Sequence, residues 1–269
     1  MGSGIAAQSM ASGLPVILVE ASDQRAEDAR ERVRRAVSRI HEHDDGGARG
    51  RSGFPEPELL VSTDLAQVSG CPLVIESVPE VAELKREVLA GIAGIVAADT
   101  LIATNTSSIA LKELQVAVGR PERFGGLHFF NPVPASSLVE VVRGSATGSE
   151  TILDFVRFAE GLGKECIVVN DSPGFATSRL GVILGLEAIR MLEEGVASVE
   201  DIDRGMILGY RYPMGPLRLT DLVGLDVRLA IARYLAPTLG PRFEPPRLLV
   251  DKVARGELGK KSGVGFYTW

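Results

Sequence analysis

The chain has 269 residues, with 45% hydrophobic and 24% charged side chains and a formal net charge of -6. That length allows one large domain or two ordinary ones with a substantial core, and the negative balance disfavours a nucleic-acid partner. No apolar run reaches the ~18 residues that a bilayer span needs, and no basic stretch leads into an apolar segment as in a secretory signal. The two cysteines, Cys71 and Cys166, lie far apart in apolar surroundings and read as small buried hydrophobes of a reducing compartment. These features point to a cytoplasmic protein with no membrane partner.

In chain order, residues 15–19 read as a buried strand and residues 23–40 as a polar helix with Ser22 at its N-cap. Residues 41–57 are rich in Gly, Pro and charge and read as a loop. Short apolar runs at 59–61, 73–76, 101–104, 126–130, 138–142 and 166–169 read as strands, and residues 81–95 have helical spacing. Strands alternating with helices imply an α/β domain whose parallel sheet is covered on both faces. After Asn170-Asp171-Ser172-Pro173-Gly174 the pattern turns helical. It covers residues 177–192, a helix capped by Ser198 with Asp201 at its third position, and residues 217–235 after a break at 213–216. The expected division is therefore an α/β domain over 1–170 and an all-α bundle over 171–269.

The first residues, Met1-Gly2-Ser3-Gly4-Ile5-Ala6, open a small-residue helix that leads into the 15–19 strand and then Glu20. In a dinucleotide-binding βαβ unit, a strand enters a glycine turn, a helix and a second strand. An acid at the end of that second strand meets the adenosine ribose hydroxyls. Here the second half of such a unit is present and its leading strand and first two glycines are missing. Gly2 would be the third glycine, the one that allows close helix–strand packing, and Glu20 the acid, whose charge favours NAD over NADP.

Of three histidines, His41 and His43 sit in a polar segment beside Asp44 and Asp45 and read as solvated. His128 lies in the apolar run Gly125-Gly126-Leu127-His128-Phe129-Phe130-Asn131-Pro132. A lone buried histidine is more often a satisfied core residue than a catalyst, but Glu140 changes the weighing. It interrupts Leu138-Val139-Glu140-Val141-Val142, and a buried carboxylate needs a partner. If the two runs pair antiparallel about Pro134, Phe130 faces Leu138 and His128 faces Glu140, with β-carbons ~5 Å apart. A carboxylate on one ring nitrogen fixes the tautomer and raises the basicity of the other. Ser107, in Thr104-Asn105-Thr106-Ser107-Ser108 at the end of a strand, either bonds a reacting oxygen or caps a helix over 110–118; the cap is the more ordinary role. Asn131 either orients a ligand or starts the turn before Pro132. No cysteine has metal-ligand neighbours, and no Gly-x-Ser-x-Gly turn supports a serine hydrolase.

With these residues in view, the chain resembles the L-3-hydroxyacyl-CoA dehydrogenases, including the short 3-hydroxybutyryl-CoA dehydrogenases of bacteria, over essentially its whole length. Six segments in the family's order carry the likeness: Asn105-Thr106-Ser107-Ser108, His128-Phe129-Phe130-Asn131-Pro132-Val133-Pro134, Leu138-Val139-Glu140-Val141, Ser172-Pro173-Gly174-Phe175, Tyr212-Pro213-Met214-Gly215-Pro216, and Gly259-Lys260-Lys261-Ser262-Gly263 with Gly265-Phe266-Tyr267. The resemblance implies a Rossmann-type N-terminal domain, an all-α C-terminal dimerisation domain, and NAD-linked oxidation of an acyl-CoA substrate in fatty-acid β-oxidation. His128 would be the general base, Glu140 its orienting partner, and Ser107 the group that holds the substrate oxygen. Glu80, Lys85, Asn105, Asn131 and Lys261 match cofactor-contacting positions, and Ser107 is shared with the cofactor. The acyl-CoA would lie between the domains, with a homodimer formed through the helical one.

Three departures accompany the likeness. The family's Gly-x-Gly-x-Met-Gly motif is met here only from its methionine, so the expected sheet lacks its first strand. The family's substrate-contacting Asn is Ser178 here. Its Ser and Lys contacts to CoA fall near Ala36 and His43, leaving Arg34, Arg35 and Arg39 as neighbouring cations. Two alternatives follow: a related dehydrogenase of a free hydroxy acid or sugar acid, and a catalytically impaired relative that does not bind cofactor.

Overall fold

The computed structural model describes residues 1–44 and 57–269. The chain divides into two units, Met1–Asp171 and Ser172–Trp269. In chain order the first comprises α1 (Gly2–Ala11), β1 (Val16–Val19), α2 (Asp23–Asp44), β2 (Leu59–Ser62), β3 (Leu73–Glu76), α3 (Ala82–Ile95), β4 (Leu101–Thr104), α4 (Leu111–Leu114), β5 (Phe124–Phe129), β6 (Leu138–Arg143), α5 (Ser149–Gly161) and β7 (Glu165–Asn170). The second comprises α6 (Thr177–Glu193), α7 (Val199–Tyr210), α8 (Pro216–Val223), α9 (Leu225–Leu239) and α10 (Arg247–Ala254). Among the described residues no helix is long and apolar enough to cross a membrane.

In the first unit β1 pairs in parallel with β2, and a separate five-stranded sheet runs in the order β3-β4-β5-β6-β7. All its pairings are parallel except β5–β6. That antiparallel pair is joined by residues 130–137, too few for a crossover helix, so the chain must double back. Leu127, Phe129, Val139 and Val141 place their alternate side chains against Ile152, Phe155 and Ala159 of α5. Val33 of α2, with Ala6 and Ala7 of α1, seals the smaller sheet. Gly126 permits tight packing: a Cβ there would fall 2.8 Å from Val142 Cβ.

The second unit packs Leu186 and Ile189 of α6 against Leu217 of α8, Leu229 and Leu235 of α9, and Leu249 of α10. The aspartates do much of the stapling. Asp221 accepts the backbone N–H groups of Phe266 and Tyr267, each at 2.8 Å, and the Trp269 indole N–H at 2.9 Å. Asp203 likewise accepts Leu217 and Arg218 N–H and the Tyr267 hydroxyl.

Several expectations need correction. The helix read over 23–40 runs on to Asp44, because its inward stripe of Ala26, Ala29 and Val33 sets a polar helix that nothing stops at Ile40. The expected loop thus loses its first residues, and its stretch 45–56 lies outside the described residues. The single helix read over 217–235 is two, divided at Gly224, whose φ of 102° is not helical. The helix read over 110–118 shrinks to α4, with turns of 3-10 helix after it. Helices α5 and α10 were not read from the pattern at all.

Candidate active site

The site is assembled at the carboxyl ends of β3, β4 and β5, where an open parallel sheet leaves its strand-to-helix turns. The β5–β6 register sets His128 opposite Glu140. Their side chains face the same way, and His128 Nδ1 lies 2.6 Å from Glu140 Oε2. Both are enclosed, with Glu140 0% and His128 4% exposed. An ionised carboxylate can only accept, so Nδ1 donates and the neutral ring keeps its lone pair on Nε2. Ser107 Oγ is 3.1 Å from Nε2 and donates to it. The ring of Phe130 lies 4.6 Å from the imidazole, tilted by 49°.

The helix-cap role expected for Ser107 is not what the structure assigns. The first N–H groups of α4, those of Leu111 and Lys112, are accepted by Asp171 at 2.8 and 3.0 Å. The carboxylate of Asp171 suits a helix N-terminus better than a hydroxyl, and Ser107 is left to face His128.

The turn that presents Ser107 is held by Glu80. Its Oε1 accepts the Thr106 hydroxyl at 2.6 Å, the N–H groups of Ser107 and Ser108 at 2.9 and 3.0 Å, and the Ser108 hydroxyl at 3.0 Å. Burial alone would raise the Glu80 carboxyl, but these donors and the Lys85 ammonium outweigh it and hold it below its ordinary value of 4.5. Asn105 links two strand ends: its Oδ1 accepts Phe129 N–H at 2.9 Å, and its Nδ2 donates to Ser77 Oγ at 3.2 Å. Lys85, expected as a cofactor contact, is 1% exposed, and its ammonium is engaged by Glu76 (2.9 Å), Val78 O (3.2 Å) and Glu80 (3.4 Å). Two of its three donors are thus hydrogen-bonded within the protein, to Glu76 and Val78 O.

Glu20 follows β1 directly, its N–H bonded to Ser62 O at 2.9 Å. Gly2 opens α1, but a Cβ there would meet Leu18 and Ser77 only at 3.8 and 3.9 Å. A Cβ there makes only ordinary contacts, so the packing of α1 would accept an alanine. Asn131 is exposed, immediately past the end of β5 and Phe130. Ser178 and Lys261 belong to the second unit: Ser178 is half-buried in the first turn of α6, and Lys261 pairs with Asp226 at 2.5 Å.

Sequence reasoning missed Glu76, Thr104 and Lys164. Glu76 carries the signal that exposed Glu140, an acid closing an apolar strand. It is 2% exposed and accepts the Thr104 hydroxyl at 2.7 Å. Lys164 gave no such signal in Gly163-Lys164-Glu165. Its buried ammonium donates to Val133 O and Ser136 O at 2.8 and 2.7 Å, which pins the connection after His128.

The residues present fit a dinucleotide. The first turn of the ten-residue α1 has no side-chain cap, and N–H groups at a helix start suit a pyrophosphate. Glu20 stands at the end of the adjacent strand, where ribose hydroxyls are met. A base, its orienting acid and a hydroxyl cluster at the strand ends of the same unit. This is the site of an α/β oxidoreductase.

Comparison with known proteins makes the class specific. The family model described as the NAD binding domain of 3-hydroxyacyl-CoA dehydrogenase matches residues 1–172, and that described as its C-terminal domain matches residues 174–269. The chain is 41% identical to a 3-hydroxybutyryl-CoA dehydrogenase of Mycobacterium tuberculosis, covering 100% of this chain and 95% of that one. It is 38% identical to the mitochondrial hydroxyacyl-coenzyme A dehydrogenase of Rattus norvegicus, covering 100% and 88%. The crystal structure of (S)-3-hydroxybutyryl-CoA dehydrogenase PaaH1 from Ralstonia eutropha is similar with a TM-score of 0.90, at 38% identity, over 100% of this chain and 95% of that one. The chain belongs to the 3-hydroxyacyl-CoA dehydrogenase family, NAD-dependent oxidoreductases with a Rossmann-like first domain and a helical second one.

Proposed function

We propose that this protein reversibly oxidises the 3-hydroxyl of an L-3-hydroxyacyl-CoA to the 3-ketoacyl-CoA. The observation that carries the reading is the unbroken chain Glu140–His128–Ser107, with contacts of 2.6 and 3.1 Å. Bound NAD supplies the acceptor for the hydride that leaves C3. His128 Nε2 takes the hydroxyl proton as the C3–O bond gains its double-bond character. Glu140 holds the ring in the tautomer that puts the lone pair on Nε2, and stabilises the imidazolium that results. Ser107 donates to the substrate oxygen, and Glu80 and Asn105 keep that hydroxyl in place. In reverse, the imidazolium returns the proton to the carbonyl oxygen.

Glu20 and the start of α1 hold the adenosine half of NAD, with Asn131 near its reactive end. Residues 1–170 form the cofactor domain and 171–269 the substrate and dimerisation domain, in which Ser178 contacts substrate and Lys261 supplies a cation. Leu180, Leu208 and Tyr210 of the helical unit are 67%, 67% and 74% exposed, and so large an uncovered apolar surface supports a homodimer. Two free thiols and no membrane-spanning helix among the described residues support a cytoplasmic setting.

The test is NADH formation from L-3-hydroxybutyryl-CoA set against free 3-hydroxybutyrate. Turnover of the thioester at a kcat/KM at least a hundred-fold higher is the expected result. Preference for the free acid would transfer the reading to a hydroxy-acid dehydrogenase, and absence of NADH binding at millimolar concentration would remove the enzyme reading altogether.

A further inference from the structure

Glu76 and Lys85 are two full charges sealed together at the carboxyl end of β3. Their side chains are 0% and 1% exposed, and Lys85 Nζ lies 2.9 Å from Glu76 Oε1. The same oxygen accepts Val78 N–H at 2.7 Å, and Glu76 Oε2 accepts the Thr104 hydroxyl at 2.7 Å. Taking two such ions out of water costs about as much as their attraction returns, so a buried pair is weak evidence of a gain in stability. What the pair does supply is geometry, because it is linked to the turn that carries Ser107.

Lys85 Nζ also lies 3.4 Å from Oε2 of Glu80. The other oxygen of Glu80 gathers its donors from Thr106, Ser107 and Ser108. The ammonium is therefore shared between two carboxylates and sits closer to Glu76. Held there and at Val78 O, 3.2 Å away, it steadies one oxygen of Glu80 without drawing the other out of the turn. Without the charge of Glu76, the ammonium would lean on Glu80, the carboxylate left beside it, and attraction rises as the separation falls. That movement would turn Oε1 away from its donors. Ser107 Oγ stands at the far end of this chain, 3.1 Å from His128 Nε2. A displacement of about 1 Å at a reacting group costs on the order of a hundred-fold in rate.

We propose that Glu76 is a positioning residue for the Ser107 hydroxyl, acting through Lys85 and Glu80. This rests on the dehydrogenase reading, and adds to it a residue that is 2% exposed and so has almost no surface to offer a ligand. Its effect reaches the reaction by fixing where a proton donor stands, as a supporting residue behind a reacting group must.

The test is kinetic. Glu76→Gln keeps the shape and an acceptor for the Thr104 hydroxyl while removing the charge. With L-3-hydroxybutyryl-CoA its kcat should fall roughly ten- to a hundred-fold. KM for the thioester, and Kd for NADH read by fluorescence, should stay within about two-fold of the parent. In a Ser107→Ala background the same substitution should cost nothing further, because the hydroxyl it positions is absent. A loss of equal size without Ser107 overturns the proposal, as does a loss carried by KM or by NADH binding, or no loss at all. If Glu76→Gln does not fold, Glu76→Met with Lys85→Met removes both charges together and meets the same comparison. A second readout needs no turnover. The chain has three histidines, so the ring-nitrogen resonances of His128 in isotope-labelled protein are identified by their loss in His128→Gln. Nε2 should shift in Ser107→Ala and shift the same way in Glu76→Gln; movement in the first variant without movement in the second overturns the proposal. Failure of every thioester to yield NADH removes the dehydrogenase reading and leaves the resonance comparison intact.

Discussion

At the scale of single residues, the proposed site is a proton relay that runs either way. Glu140 meets Nδ1 of His128, and the other ring nitrogen meets Ser107. Replacing His128 by Gln should lower kcat/KM by about 10²–10⁴-fold in an NADH assay, since no other base takes its place. Glu140→Gln should cost about as much while leaving the fold in place, because the amide lacks the charge that stabilises the imidazolium. Glu80 acts one step back, through the turn. Its folded carboxyl is depressed below 4.5, so its stabilising effect is complete above that value and fades as pH falls through the depressed one. Urea midpoints of the parent and Glu80→Gln should differ by a constant amount near neutrality and converge below pH 4.5. A gap that widened in acid would contradict the bonds seen at Oε1. His128 and Glu140 were legible in sequence because each breaks an apolar run of fixed alternation. The clamp of Lys164 was not, since it sits among ordinary polar neighbours and acquires meaning only from Val133 and Ser136, about thirty residues away in the chain.

Among the elements, strands were read more securely than helices. A short apolar run between turns has few other fates in an α/β domain, and the spacing of 128 and 140 about Pro134 gave the β5–β6 register directly. Helix α5 was not read although Ile152, Phe155 and Ala159 recur at helical spacing; Leu153, Val156 and Phe158 fill the positions between them and blur the stripe. The division of α8 from α9 hangs on one glycine within a stretch of otherwise helical spacing. The staple on α8 is a stronger device than its single residue implies. Asp221→Ala would strand three donors, those of Phe266, Tyr267 and Trp269, and should destabilise the helical unit by about 3–5 kcal/mol. Trp269 is the sole tryptophan, so its emission should shift in that variant well before unfolding of the parent begins in a urea titration. An unchanged midpoint would mean that these bonds are replaced by water without loss.

For the molecule as a whole, the exposed apolar residues of the second unit bear on its assembly. Sedimentation of the native protein should give twice the chain mass, and Leu180→Lys with Leu208→Lys should give the single mass with an unaltered circular dichroism spectrum. A monomeric parent would leave that surface to another role. Stability is also unevenly shared within the first unit. Among the described residues, strands β1 and β2 bond only to each other, over four residues each, whereas β5 and β6 are bracketed by β4 and β7. A ladder of two strands leans on its covering helices for shelter. In heavy water, deuterium should therefore invade the amides of residues 16–19 and 59–62 while those of 126–129 and 139–142 remain protonated, so the edge proposed for the adenosine breathes against a proposed proton-transfer centre that stays locked.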